Sequence, residues 1–151
     1  MRRNIISDTS CIILFDKIGE LEILRKLFGT IITTTLIAKE FGSPLAPWFE
    51  IKDPNDKNYQ SLIETFLDKV EASAIALAIE LENCLLIIDD RKGRRFAEKI
   101  GLTITGSAGI IVDAKLKGII SSVGPILLKI RETNFRITDT LEQLILKKAG
   151  E

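Results

Sequence analysis

Histidine is missing from the chain. That absence removes Ser-His-Asp and Cys-His nucleophilic mechanisms, HExxH zinc sites and histidine phosphotransfer. Cysteine is scarce. Cys11 and Cys84 are too few for a zinc cluster and too far apart for a CxxC pair. Both read as small buried hydrophobes in a reducing compartment, and the sequence leaves a Cys11–Cys84 disulfide open. Net charge is lacking too. Lys+Arg is 21 and Asp+Glu is 21, which argues against holding nucleic acid by bulk charge but not against a local basic rim around an acidic site. No apolar run approaches the roughly 20 residues of a membrane helix. The stretch behind Met1-Arg2-Arg3 is cut by Asp8 and Asp16, unlike a signal peptide. The expectation is a cytoplasmic protein without a membrane partner.

What is present is enough for one domain over residues 1–151, with 46% apolar and 28% charged residues to build a core and a surface. Short apolar runs alternate with helical patterns. Asn4 to Ser7, Thr30 to Thr33, Leu85 to Ile88 and Leu102 to Thr105 read as strands. Leu85 to Ile88 has no polar alternation, as expected of a strand covered on both faces. Helices are expected over Glu20 to Phe28, Thr34 to Phe41, Lys57 to Phe66, Glu71 to Glu82, Arg94 to Ile100, Ile110 to Lys117, Ile126 to Glu132 and Asp139 to Lys148. The strongest is Glu71 to Glu82, where Ala72, Ile75, Ala76 and Ile79 share one face and the opposite face is also largely apolar. Ser43 to Pro54 reads as a loop with a short extended piece, and Phe135 to Ile137 as a final short strand. Asp139 and Glu142 have capping-box spacing. Strands separated by helices imply an α/β fold with a parallel sheet between two helical layers.

Ligand and catalytic sites in such sheets lie beyond the carboxyl ends of the strands. Asp8-Thr9-Ser10 follows the first strand and Asp89-Asp90 a later one. Glu71 opens the buried helix, and Glu40 lies late in the helix before Gly42. Each acid has a plain alternative. Asp8 is a good helix cap, Glu71 a first-turn acid, Asp89-Asp90 a solvated turn, and Glu40 a surface residue. Together they place carboxylates from separate elements at one sheet edge. Clustered carboxylates repel one another, and a hard cation relieves the repulsion. Mg²⁺ and Mn²⁺ prefer carboxylate and water oxygens and suit phosphate-ester chemistry without histidine. Arg91, Lys92, Arg94 and Arg95 beside Asp90 read equally as a solvated helix start or as a grip on a nucleic-acid backbone. Gly106-Ser107-Ala108-Gly109, after a strand and before a helix, either cradles a phosphate or permits a tight turn. A receiver would want its paired acids after the first strand, and a haloacid-dehalogenase phosphatase would want Asp where Ser10 stands.

These segments resemble the PIN domain, a metal-dependent nuclease fold, and within it the VapC-like toxins and their small prokaryotic relatives. The matching pieces are Ile5-Ile6-Ser7-Asp8-Thr9-Ser10, Ala38-Lys39-Glu40, Glu71-Ala72-Ser73-Ala74-Ile75-Ala76-Leu77-Ala78, Ile87-Ile88-Asp89-Asp90-Arg91-Lys92-Gly93-Arg94-Arg95 and Thr105-Gly106-Ser107. The resemblance spans about residues 4 to 120 and rests on the order and spacing of these pieces. It implies a three-layer α/β/α sandwich around a mainly parallel sheet of four to five strands, and a single-strand-acting endoribonuclease using Mg²⁺ or Mn²⁺. Asp8 would be the central metal ligand. Glu71 and one or both of Asp89 and Asp90 would complete the shell, and Glu40 would hold a metal-bound water. Thr9 or Ser10 would orient Asp8, with Ser107 in support. Many PIN toxins have Asp in place of Glu71 and Thr-x-Asp in place of Ile88-Asp89-Asp90, so the choice between Asp89 and Asp90 stays open. The resemblance also implies an RNA substrate, a homodimer and an antitoxin partner, with residues after about 120 as a helical elaboration or partner surface. The competing expectation is a degenerate, non-catalytic PIN-like module that binds RNA or a protein.

Overall fold

A computed structural model describes residues 3–151; Met1 and Arg2 of the N-terminal basic segment lie outside the described residues. The strands are β1 (Asn4–Ser7), β2 (Ile31–Thr33), β3 (Phe49–Ile51), β4 (Cys84–Ile87) and β5 (Thr103–Thr105). The helices are α1 (Thr9–Lys17), α2 (Glu22–Phe28), α3 (Thr35–Phe41), α4 (Lys57–Ile63), α5 (Lys69–Glu80), α6 (Arg91–Lys99), α7 (Ser107–Leu116), α8 (Gly124–Arg131) and α9 (Asp139–Lys148). The strands form one all-parallel sheet in the order β3-β2-β1-β4-β5. The α/β/α sandwich is therefore the fold.

Strand geometry divides the core. Successive side chains point to opposite faces, so Ile5, Leu85 and Ile87 belong to one cluster and Ile6, Leu86 and Ile88 to another. The first cluster is closed by α1, α2 and α7 to α9, through residues such as Phe15, Leu24, Ile111, Ile126 and Ile145. The second is closed mainly by α3 to α6, through Ile37, Ile63, Ile75 and Ala97. Both faces of β1 and β4 are covered, which is why Leu85 to Ile88 shows no polar alternation. The unbroken buried run from Ala72 to Ala78 makes α5 the most enclosed helix by sequence. A buried hydrogen bond between the Thr34 and Ser73 hydroxyls, 2.7 Å, fixes its position against α3.

Several expectations need correcting. Thr9–Lys17 is a helix that the sequence reading missed, because its apolar run, buried at Thr9, Cys11, Ile12, Leu14 and Phe15, hides the helical period. Phe135 to Ile137 is not a strand. Helix α7 begins at Ser107, so Gly109 lies inside it rather than in a turn. A Cβ on Gly109 would stand 2.5 Å from the Thr105 hydroxyl, so glycine lets α7 pack onto β5. The cap of α9 is Thr138, which accepts from Leu141 N–H at 3.1 Å, and Glu142 pairs with Arg131 instead of closing a capping box. Helix α6 begins at Arg91, so the basic run is its first turns rather than a segment ahead of it.

Residues 120–151 share the first apolar cluster through Val123, Leu127, Ile130 and Ala149. The Glu151 carboxylate accepts from Val123 N–H at 2.8 Å, Ser122 Oγ at 2.5 Å and Lys115 Nζ at 3.0 Å. These bonds hold its pKa down to about 2.

The partition predicts a sharp contrast. Ile75 is 0% exposed and Leu128 is 61% exposed. Ile75→Ala should lower the unfolding free energy in urea by about 2–5 kcal/mol. Leu128→Ala should change it by no more than about 0.5 kcal/mol.

Candidate functional site

From β1 the chain steps outward to β2 and β3, then crosses back to β4 on the other side of β1. The switch point of the sheet therefore lies between β1 and β4, and the residues just past their carboxyl ends are Asp8 and Asp89-Asp90. The register Ser7 to Ile87 and the bond from Asp8 N–H to the Ile87 carbonyl, 2.9 Å, bring the two strand ends together.

Asp8 is 5% exposed, yet each carboxylate oxygen has a backbone partner. Oδ1 accepts from Cys11 N–H at 3.1 Å, capping α1, and Oδ2 accepts from Asp89 N–H at 2.9 Å. The capping reading of Asp8 is thus physically real and does not compete with a role at the site. Neither the Thr9 nor the Ser10 hydroxyl hydrogen-bonds the Asp8 carboxylate among the described residues. Thr9 Oγ1 is buried without a protein hydrogen bond, and Ser10 is exposed. The backbone N–H groups of Cys11 and Asp89 do that work.

Asp89 is fully engaged. Its Oδ1 accepts from Ser107 N–H at 2.8 Å and its Oδ2 from Ser107 Oγ at 2.6 Å. This occupies the amino end of α7, so the Gly106-Ser107 turn does not present a free phosphate cradle. Glycine at 106 leaves the Arg94 and Asp89 side chains room there. A Cβ would lie 2.7 Å from Arg94 Nη1 and 2.8 Å from Asp89 Oδ1. Asp90 is exposed and caps α6 with Oδ2, which accepts from Gly93 N–H at 2.9 Å. Its other oxygen accepts from no backbone N–H, hydroxyl or cationic side chain among the described residues.

Glu71 stands in the first turn of α5, half-buried. Burial comes first, then Asp68, Asp90 and Asp8, in pushing its carboxyl up to about 8, and it shares a hydrogen bond with Asp90. Burial and then Asp89 push Asp8 up to about 7, against the lowering effect of its two N–H donors. Asp8, Glu71 and Asp90 therefore form one electrostatic unit. Asp68, which the sequence reading missed, belongs beside it. It caps α5 by accepting from Glu71 N–H at 2.9 Å, and the Asp68-x-x-Glu71 spacing was the available signal. Glu40 is exposed near the end of α3 and has no hydrogen bond or ion pair to the cluster among the described residues. Arg94 is drawn inward, with Nη1 donating to the Ile88 carbonyl at 2.8 Å, so it is a structural residue more than a free cation. Arg91, Lys92 and Arg95 are exposed.

The donor set suits a hard cation in its chemistry, since it is all oxygen and its raised carboxyls have no cationic partner among the described residues. The ion pairs of the described residues lie elsewhere. Among those residues no group of three carboxylate or thiol side chains converges enough to hold an ion alone. A hard cation there would have to share one or two of these carboxylates with several waters and with substrate phosphate, as Mg²⁺ commonly does.

The raised carboxyls set a pH dependence. Asp8 and Glu71 have unfolded values near 3.8 and 4.5 and folded values of about 7 and 8. Between those limits the folded state holds more protons than the unfolded one, so metal-free stability falls as pH rises. The melting temperature in EDTA should drop from pH 5 to pH 8.5. Glu71→Gln should flatten that drop and melt higher than the parent at pH 8.5.

A family model, DUF3368, described as a PIN domain, matches residues 4–151. The match runs past residue 120 through the last two helices, which the resemblance in the sequence did not reach. No curated protein matches the chain.

Proposed function

Because the chain belongs to the PIN-domain family, a fold whose members are generally nucleases, we propose that it is a metal-dependent endoribonuclease, the toxin or a toxin-like component of a toxin–antitoxin pair. The observation that carries the reading is the set of mutually repelling carboxylates at the sheet's switch point, Asp8, Glu71 and Asp90, without a cationic partner among the described residues. Bound Mg²⁺ or Mn²⁺ would polarise a phosphoryl oxygen and acidify an attacking water. Asp8 and Glu71 would hold the ion with Asp90, whose backbone bond is the single Gly93 cap, ahead of Asp89, which Ser107 ties down through both oxygens. Asp89 is then a positioning residue. Its N–H fixes Asp8 and its side chain fixes α7. Glu40 keeps the role the resemblance implies, on water rather than on the cation. Arg91, Lys92 and Arg95 supply charge for the RNA backbone.

The chain would act as one domain over residues 1–151, with the last two helices as the surface for a second copy or an antitoxin. Leu128 and Leu144, 61% and 45% exposed, support that assignment. No helix among the described residues is long and apolar enough to cross a membrane.

The second reading is a non-catalytic PIN module. It is favoured by the lack of any three converging acidic or thiol side chains among the described residues. Metal binding and cleavage separate the two. Mn²⁺ at a hundred times its Kd should stabilise the parent by about 2.7 kcal/mol, and Asp8→Asn and Glu71→Gln should remove that gain. Asp8→Asn should remain folded and cleave single-stranded RNA at least about a hundredfold more slowly, the scale of losing one electrostatic stabiliser of the transition state. A parent that neither gains stability nor cleaves RNA at millimolar Mn²⁺ leaves the non-catalytic module as the function.

A further inference from the structure

Phe66 lies just beyond α4, ahead of the Asp68 cap of α5, and is 56% exposed. Its ring packs against Phe96 of α6, with centroids 5.9 Å apart and planes inclined by 36°. Phe96 is itself half-buried against the second core cluster, so it fixes the ring above it while more than half of Phe66 meets water. On α6, Lys92 and Lys99 stand four residues before and three after Phe96, which places both on its face of the helix. Both lysines are exposed and neither joins an ion pair among the described residues. The segment before α5 thus sets an exposed ring on Phe96, whose own helix carries a lysine on the turn before it and another on the turn after it.

An exposed ring flanked by cations matches a chain that alternates flat bases with phosphates. Single strands present base faces for stacking, whereas a duplex hides them in its own stack. We infer that Phe66, backed by Phe96, is a stacking platform for one unpaired base of a single-stranded RNA, with Lys92 and Lys99 on the flanking phosphates. The inference rests on the ribonuclease reading and adds a recognition residue to it. Aliphatic side chains nearby, Leu62 among them, are exposed as well (62%), so self-association belongs in the test.

The test is fluorescence anisotropy of a short labelled single-stranded RNA with the full chain in EDTA, which stops metal-dependent cleavage. Phe66→Ala should bind about tenfold more weakly with an unchanged salt slope and an unchanged melting temperature, and Phe66→Trp should restore the affinity. Lys92→Ala and Lys99→Ala should each lower the salt slope by about 0.7–1. Duplex RNA should compete poorly. The platform is overturned if Phe66→Ala binds like the parent, if the parent does not bind, or if Phe66→Ala dissolves a dimer seen in sedimentation. The ribonuclease reading fails separately. A parent that binds with this pattern but leaves RNA intact in Mn²⁺ overturns that reading and keeps the platform. A parent that cleaves, with Phe66→Ala binding and cleaving equally well, keeps the ribonuclease and overturns the platform.

Discussion

A buried carboxylate at the end of the central strand organises the carboxyl edge of this fold. Asp8 is enclosed, and enclosing a charge is costly unless hydrogen bonds replace its water. Two backbone N–H groups do so, one from the first turn of α1 and one from Asp89 beyond β4. Asp89 in turn receives the start of α7 through both groups of Ser107. A chain of carboxylate–amide bonds therefore sets where α1 and α7 begin relative to the end of β4. The balance at Asp8 is close. Its donors favour the ionised form, burial and the neighbouring acids oppose it, and the outcome is a carboxyl that titrates at about 7.

Capping and chemistry need not be separate uses of these residues. In a parallel sheet the helix that follows each strand starts at the carboxyl edge, so several helix amino ends face the same region. Each brings partial positive charge and unpaired N–H groups. Asp8, Asp68 and Asp90 satisfy those groups in α1, α5 and α6. The helices thereby permit a density of carboxylates that would otherwise repel one another too strongly. What the caps leave over is the side chain of Glu71 and the part of Asp90 that the Gly93 cap does not use, and these face an excess of negative charge. A divalent cation is the simplest way to relieve that excess, and Glu71 gains from it directly because its own raised carboxyl serves no cap.

Much of this architecture was legible in the sequence because its signals are local. Gly42 ends α3 with φ 79°, a conformation open to glycine, and the β-branched and apolar runs of β1, β2 and β4 admit little but strand. The placement of Asp8, Glu71 and Asp89-Asp90 at one edge also followed from topology rules. Other features depend on three-dimensional context. Helix α1 was hidden because a helix buried on most sides loses its periodic pattern. The distinction between Asp89 and Asp90 is invisible in adjacent identical residues. Their roles diverge only because Ser107, on another element, reaches one and Gly93 the other. Arg94 looked like its basic neighbours until the Ile88 carbonyl drew it inward. Asp68 is distinctive only in three dimensions, since the Asp68-x-x-Glu71 spacing marks a helix start but not its nearness to the switch point.

Balanced charge conceals a steep local gradient. Asp90 closes the acidic cluster and Arg91 opens α6, so the sign of the surface changes within a single peptide unit. For a polyanion this asymmetry restricts approach. Without a cation, a phosphate chain coming over Asp68, Glu71 and Asp90 would meet repulsion, whereas one laid along α6 would be drawn in by Arg91, Lys92 and Arg95 and reach the carboxylates at one end. The cations do not need to outnumber the acids in the whole chain to achieve this, since exposed charges act over about a Debye length of 8–10 Å. Net charge is therefore the wrong scale on which to judge nucleic-acid binding here. The relevant scale is one helix, and on α6 the exposed cations greatly exceed the single acid, Glu98.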